Sequence, residues 1–95
     1  MPKGYVIFTE AVKDPEGMRA YAEAAGPATK GVRVLAVESR PEVLEGRWHG
    51  DQTVILEFDS VEDARAWYHS EAYQNAARLR QRAADTNAAI VSGLG

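Results

Sequence analysis

Thr53-Val54-Ile55-Leu56-Glu57-Phe58-Asp59-Ser60 opens as an apolar strand and closes on a helix start. Val54, Leu56 and Phe58 alternate with Thr53, Ile55 and Glu57, which is the two-residue period of a strand. Ser60-Val61-Glu62-Asp63 has the arrangement of a capping box, with serine three residues ahead of a carboxylate. Helical spacing then puts Ala64, Trp67 and Tyr68 on one face and Tyr73, Ala76, Ala77, Arg80 and Ala84 on another. The slip between His69 and Ala72 predicts a break, with Ser70 as a second N-cap.

Towards the N-terminus, Tyr5 to Thr9 reads as a first strand, rich in β-branched and aromatic residues. Asp14-Pro15-Glu16 reads as a helix start, and Met18, Tyr21, Ala22, Ala25 and Ala28 follow at helical spacing. Gly26-Pro27 predicts that this helix ends or kinks before Ala28. Val32 to Val37 is a second strand, with a continuation expected on an edge over Glu42 to Gly46, beyond the bend at Arg40-Pro41. Gly50-Asp51 is a turn into the third strand, Gln52 to Phe58, and Ala88 to Val91 is a short fourth strand.

The order strand, helix, strand, strand, helix, strand is the split βαβ pattern. It predicts one α+β, ferredoxin-like domain over residues 1–95, with both helices on one face of a four-stranded antiparallel sheet. Val54, Leu56 and Phe58 should face the helices. Tyr5, Ile7, Thr9, Ile55 and Glu57 then lie on the opposite face. That face is too apolar to stay wet, which predicts a two-fold homodimer with the sheets face to face.

Composition narrows the function classes. The chain has 95 residues and a formal charge of −3, which argues against a nucleic-acid partner. It has no cysteine, so disulfides and thiolate sites are excluded. No segment approaches the roughly 18–20 apolar residues of a membrane span. Met1 to Tyr5 lead into an apolar run too short for a secretory signal. The expectation is a cytoplasmic protein without a membrane partner.

Tyr5-Val6-Ile7, Asp14-Pro15-Glu16, Tyr21, Val43-Leu44-Glu45-Gly46, Trp48 and Val54 to Phe58 form a recognisable set with Ser60, Ala64, Ala66-Trp67-Tyr68, Ser70, Tyr73 and Arg80. With these residues the chain resembles the domain of unknown function 1330 family, in the dimeric α/β-barrel superfamily. The Trp67-Tyr68-x-Ser70 segment is the most specific part. The resemblance implies a ferredoxin-like protomer whose two sheets form a dimeric α/β barrel, and it implies no activity. The family pattern would place glycines near Glu38-Ser39 and a proline where this chain has Glu71.

Glu57 is the first candidate for chemistry. A carboxylate on a covered sheet face must be paired or neutralised, and burial would raise its pKa towards acid–base work. Its other reading is a structural ion pair or a rim position in water. His49, beside Trp48 ahead of a glycine turn, is a weaker candidate base or a solvated side chain. Trp48 and Tyr5 are expected to wall a ligand pocket. Trp67, Tyr68 and Tyr73 are core aromatics, any of whose polar tips can orient a ligand. Arg80 shares the inward face of its helix and is expected to pair with Glu57 or Glu45, or to grip a ligand carboxylate. Arg78 and Arg82 face solvent. No spacing of histidines and carboxylates suggests a metal site, and no cofactor is expected. Haem would need His49 or His69 as axial ligand, and neither falls on an interior face.

Two functions fit. One is a homodimer holding a small apolar or carboxylate-bearing ligand, with cofactor-free proton transfer or oxygenation if it is an enzyme. The other is a non-catalytic dimeric binding or assembly module with a structural Glu57–Arg80 pair.

Overall fold

The computed structural model describes residues 1–95. Its elements are β1 (Gly4–Val12), α1 (Pro15–Ala28), β2 (Arg33–Glu38), β3 (Gln52–Phe58), α2 (Val61–His69), α3 (Glu71–Ala83) and β4 (Ala84–Ser92). The strands form one antiparallel sheet in the order β2-β3-β1-β4. This is the ferredoxin-like arrangement expected from the sequence. No helix is long and apolar enough to cross a membrane.

Strand alternation sets the two faces. Val6 and Phe8 of β1 and Leu56 and Phe58 of β3 are buried beneath the helices with Ala64, Tyr73, Ala76 and Ala77. The alanines of α3 let that helix approach its neighbours closely, and Tyr73 fills the space between elements. Its ring lies 4.1 Å from Trp67 and 5.7 Å from Tyr68, centroid to centroid. Tyr5, Ile7, Ile55 and Glu57 occupy the other face, partly covered.

The break in the second helical region falls at Ser70. Its Oγ donates to the Trp67 carbonyl at 2.8 Å and accepts from the Tyr73 amide at 3.2 Å, closing α2 and opening α3. Glu71 takes the first position of α3, so the break forms without proline. Ser60 caps α2 by accepting from the Asp63 amide.

Three elements differ from expectation. Helix α1 runs through Pro27 to Ala28 instead of ending before it. Proline in the last turn removes one helical bond, to the exposed Glu23, and the final carbonyls find other donors. Thr29 Oγ1 donates to the carbonyls of Ala25 and Gly26, and Trp67 Nε1 donates to the Ala28 carbonyl at 2.9 Å. Second, β2 ends at Glu38, and residues 39–51 form a loop with no edge strand over Glu42–Gly46. Gly46 has φ +70°, which turns the chain out of any extended run.

Third, β4 spans nine residues, and β1 extends to Val12. Pairing from Gly4↔Ser92 to Val12↔Ala84 overrides the poor strand propensity of Asp85-Thr86-Asn87. No loop separates α3 from β4: Ala83 ends one and Ala84 starts the other. The Ala83 carbonyl anchors this junction by accepting from the amides of Lys13 (2.8 Å) and Asp14 (2.9 Å).

Candidate functional site

The face of the sheet away from the helices holds two polar groups separated by an apolar middle. At one end Glu57 Oε1 accepts from Arg33 Nε at 2.8 Å, and Tyr5 donates its hydroxyl to Glu57 Oε2 at 3.1 Å. Arg33 also binds Asp59 at 2.7 Å, with Lys3 at 3.3 Å. At the other end, the loop before β3 folds over the sheet. Trp48 Nε1 donates to Thr53 Oγ1 at 2.8 Å. His49 Nδ1 is hydrogen-bonded to Thr9 Oγ1 at 2.8 Å, and its Nε2 lies 3.6 Å from Asp85.

These positions correct the expected chemistry of Glu57. Its carboxyl was expected to shift upward through burial. Instead the hydrogen bond from Arg33 holds it below the ordinary carboxylate range, against partial desolvation and with help from Tyr5. Asp59 is lowered in the same way, by Arg33 and then Lys3. Both folded values are depressed, so their stabilisation is complete above the ordinary carboxylate range and is lost as pH falls through the folded values. Replacing Arg33 with alanine is expected to move the Glu57 titration upward in carboxyl-carbon NMR; an unmoved curve would contradict the assignment.

The expected pairing of Arg80 with Glu57 or Glu45 does not form. Glu57 points away from the helices, whereas Arg80 projects from α3 onto the opposite face of the sheet, and Glu45 is exposed in the loop. The chain's ion pairs are Lys3–Asp59, Arg33–Glu57 and Arg33–Asp59, and none involves Arg80. Tyr5, Trp48, His49 and Glu57 therefore cannot share a site with Arg80, Tyr68 and Tyr73. His69 is exposed at the end of α2.

Arg80 lies in a polar cluster on the helix side that the sequence reading did not identify. Arg80 is 2% exposed, with its guanidinium carbon 5.0 Å from the Phe8 ring centre and 5.8 Å from that of Tyr21. The hydroxyls of Tyr21 and Tyr73 share a 2.9 Å hydrogen bond nearby. Burial pushes both phenols above the ordinary tyrosine range, keeping them neutral. Glu10, also 2% exposed, points into the same layer and accepts from Gln52 Nε2 at 2.8 Å. Strand pairing sets Thr86 beside Glu10 on one side and Gln52 on the other. Burial raises the Glu10 carboxyl, while Gln52 and the charge of Arg80 pull it back. The signal for Glu10 was the inward alternation Val6, Phe8, Glu10, visible once β1 is carried past Thr9.

Beside this cluster a cleft of about 350 Å³ is lined by Tyr68, Arg80, Asp85, Thr86 and Ala88, among others. A second, apolar cleft of about 210 Å³ is bounded by Val6, Tyr68, His69, Ala88, Ala89 and Ile90. The two share Tyr68 and Ala88 and lie next to each other as a groove along β4, the first more polar and the second apolar. Arg80 Nε and Nη2 and Thr86 Oγ1 are buried with no hydrogen-bond partner. Such orphaned groups are expensive to leave without an acceptor. Trp67, by contrast, gives its only donor to the Ala28 carbonyl and packs on Phe58 at 5.3 Å, so it belongs to the core.

Comparisons with known proteins agree with this fold. No curated protein matches the chain. Among solved structures, the RPA0582 protein of unknown function from Rhodopseudomonas palustris is 22% identical, with a TM-score of 0.73 over 99% of this chain and 84% of its own. A dimeric ferredoxin-like protein of unknown function from Thermobifida fusca is 13% identical, with a TM-score of 0.64 over 96% of this chain and 91% of its own. A protein from Caulobacter crescentus, described as a candidate antibiotic biosynthesis monooxygenase, is 12% identical, with a TM-score of 0.65 over 99% and 92%. At these identities the likeness establishes the fold alone. The family model of the domain of unknown function DUF1330 matches residues 3–94. With that match over nearly its whole length, the chain belongs to the DUF1330 family, and its fold is ferredoxin-like.

Proposed function

We propose that this protein is a homodimer that binds a small carboxylate with an apolar body in the groove along β4. The observation that carries this reading is the buried guanidinium of Arg80, with two nitrogens unpartnered, beside an equally unpartnered Thr86 hydroxyl. Arginine presents a planar fork that matches a carboxylate, and desolvation strengthens such a bond. Val6, Tyr68 and Ile90 offer the apolar body a surface.

A thermal-shift series tests it. Hexanoate and phenylacetate should raise the melting temperature, and the corresponding uncharged amides should not. At ten times Kd the gain is about 1.4 kcal/mol, or several degrees for a domain of this size. Thr86→Val and Arg80→Lys should each reduce the shift, the first by removing the hydroxyl and the second by removing the fork. Equal responses to acid and amide would refute the carboxylate assignment.

The dimer is supported by the sheet face bearing Tyr5, Ile7, Ile55, Ala89 and Val91, and by the dimeric relative from Thermobifida fusca. Ile55 lies at its centre, opposite Ile7. An Ile55→Arg variant would bury an unpaired charge in a face-to-face contact, so light scattering should find it monomeric where the wild type is dimeric. Two particles of the same mass would remove this face as the interface.

The non-catalytic reading is favoured on one point. Glu57 lies in a structural pair, with Arg33 in place of Arg80. Its lowered pKa makes it a poor proton carrier near neutrality.

A further inference from the structure

Glu10 is the buried carboxylate closest in register to the orphaned groups of the groove. Gln52 faces it from β3 and Thr86 from β4. Arg80 and Tyr73 approach from α3 and Tyr21 from α1, and the Asp51 carboxylate acts on it from the turn before β3. Tyr21 and Tyr73 are bonded to each other and stay neutral. Arg80 is therefore the single cation in this layer, and Glu10 has only the Gln52 amide as a direct donor.

A ligand carboxylate docking on Arg80 brings a second buried anion to one guanidinium. Two carboxylates sharing such a site cannot both remain ionised. Resting on the carboxylate-site reading above, we propose that the ligand enters together with one proton, which Glu10 takes up. The bound state then holds cationic Arg80, an ionised ligand and neutral Glu10. The proton comes from solvent and forms an O–H bond on Glu10, and no bond in the ligand breaks. Neutral Glu10 then no longer competes with the ligand for the charge of Arg80. Burial raises the Glu10 carboxyl before any ligand arrives, and the Gln52 hydrogen bond and the charge of Arg80 oppose it.

Titration calorimetry of hexanoate into the full chain, at about pH 7 in buffers of different ionisation enthalpy, measures this proton directly. The expected result is uptake close to one proton per hexanoate. The affinity should fall by about tenfold per pH unit where that uptake is complete. In Glu10→Gln, uptake should vanish and the affinity should become flat with pH. Should that variant not fold, carboxyl-carbon NMR of the wild type must show the Glu10 titration moving upward when hexanoate is bound, and an unmoved Glu10 titration overturns the proposal. Hexanoate binding with heats independent of buffer would overturn the proton-coupled mechanism and leave the carboxylate site standing. Uptake that persists in Glu10→Gln would assign the proton to another group and also overturn it. No binding of hexanoate or phenylacetate in any buffer would remove the carboxylate site itself, and this inference with it.

Discussion

Arg80→Met is expected to lower stability by about 2 kcal/mol at neutral pH, less than for a direct buried ion pair, because Arg80 acts on Glu10 through its charge and not through a contact. Methionine fills much of the volume over Phe8 and Tyr21, so cavity formation is a minor part of the loss. The larger part is electrostatic. Arg80 is the cation that offsets the buried Glu10 carboxylate, and without it Glu10 keeps only the Gln52 amide. This gives the loss a definite pH dependence. Glu10 already has a raised folded pKa, and removing Arg80 raises it further. A carboxyl raised on folding contributes most stability below its unfolded value and loses that contribution as pH rises through the folded value. The variant should therefore approach the wild type in mild acid and diverge from it towards neutrality. Combining Arg80→Met with Glu10→Gln should recover most of the loss, because no uncompensated carboxylate then stays buried. Urea denaturation at two pH values measures all of this. An Arg80→Met midpoint equal to wild type near neutrality, or a double variant no better than the single, would show that Glu10 and Arg80 are not coupled.

Gly50→Ala should be more damaging, about 3 kcal/mol or more, from two sources that add. Gly50 has φ +76°, a conformation that side chains resist. Its added Cβ would lie 2.4 Å from the carbonyl carbon and oxygen of Glu10 and 2.8 Å from the Ala11 amide nitrogen. These are backbone atoms of a central strand and cannot swing away. The same contact lets the Asp51 amide donate to the Glu10 carbonyl at 3.0 Å and the Val12 amide donate to Asp51 Oδ1 at 3.1 Å. A melting temperature lower by more than about 12 °C is expected for a domain of this size. Gly46→Ala is the internal control. Gly46 also has positive φ, at +70°, but a Cβ there meets nothing within 4 Å. It should lose only the conformational strain, about 1 kcal/mol. Equal losses at the two glycines would mean that the close approach to Glu10 is unimportant.

Local signals in the sequence were enough for the scaffold. Alternation in Val54 to Phe58 sorted the sheet faces, and the phase slip after His69 located the Ser70 cap. Capping and periodicity act over a few residues, so one chain suffices to read them. The polar cluster depends on longer-range facts. Glu10 and Thr86 lie on extensions of β1 and β4 that exist because the two strands pair with each other along nine positions. Asp85 and Asn87, on either side of Thr86, are poor strand formers. The expected Glu57–Arg80 pair failed for a related reason: each residue had a plausible inward face, but the faces belong to opposite sides of the sheet. Likewise, nothing in the composition of the loop before β3 indicates which side Trp48 and His49 will cover.

The direct passage from α3 into β4 places a constraint on how this family member can change. Arg80 lies three residues before Ala83, and Thr86 two residues after Ala84, so both halves of the proposed anion site are measured from one junction. Inserting a single residue there would rotate Arg80 about a hundred degrees around its helix or turn Thr86 to the far side of the sheet. Insertions and deletions at this point would thus erase the site outright. Divergence in what the groove accepts would have to proceed by exchange of side chains at fixed chain length.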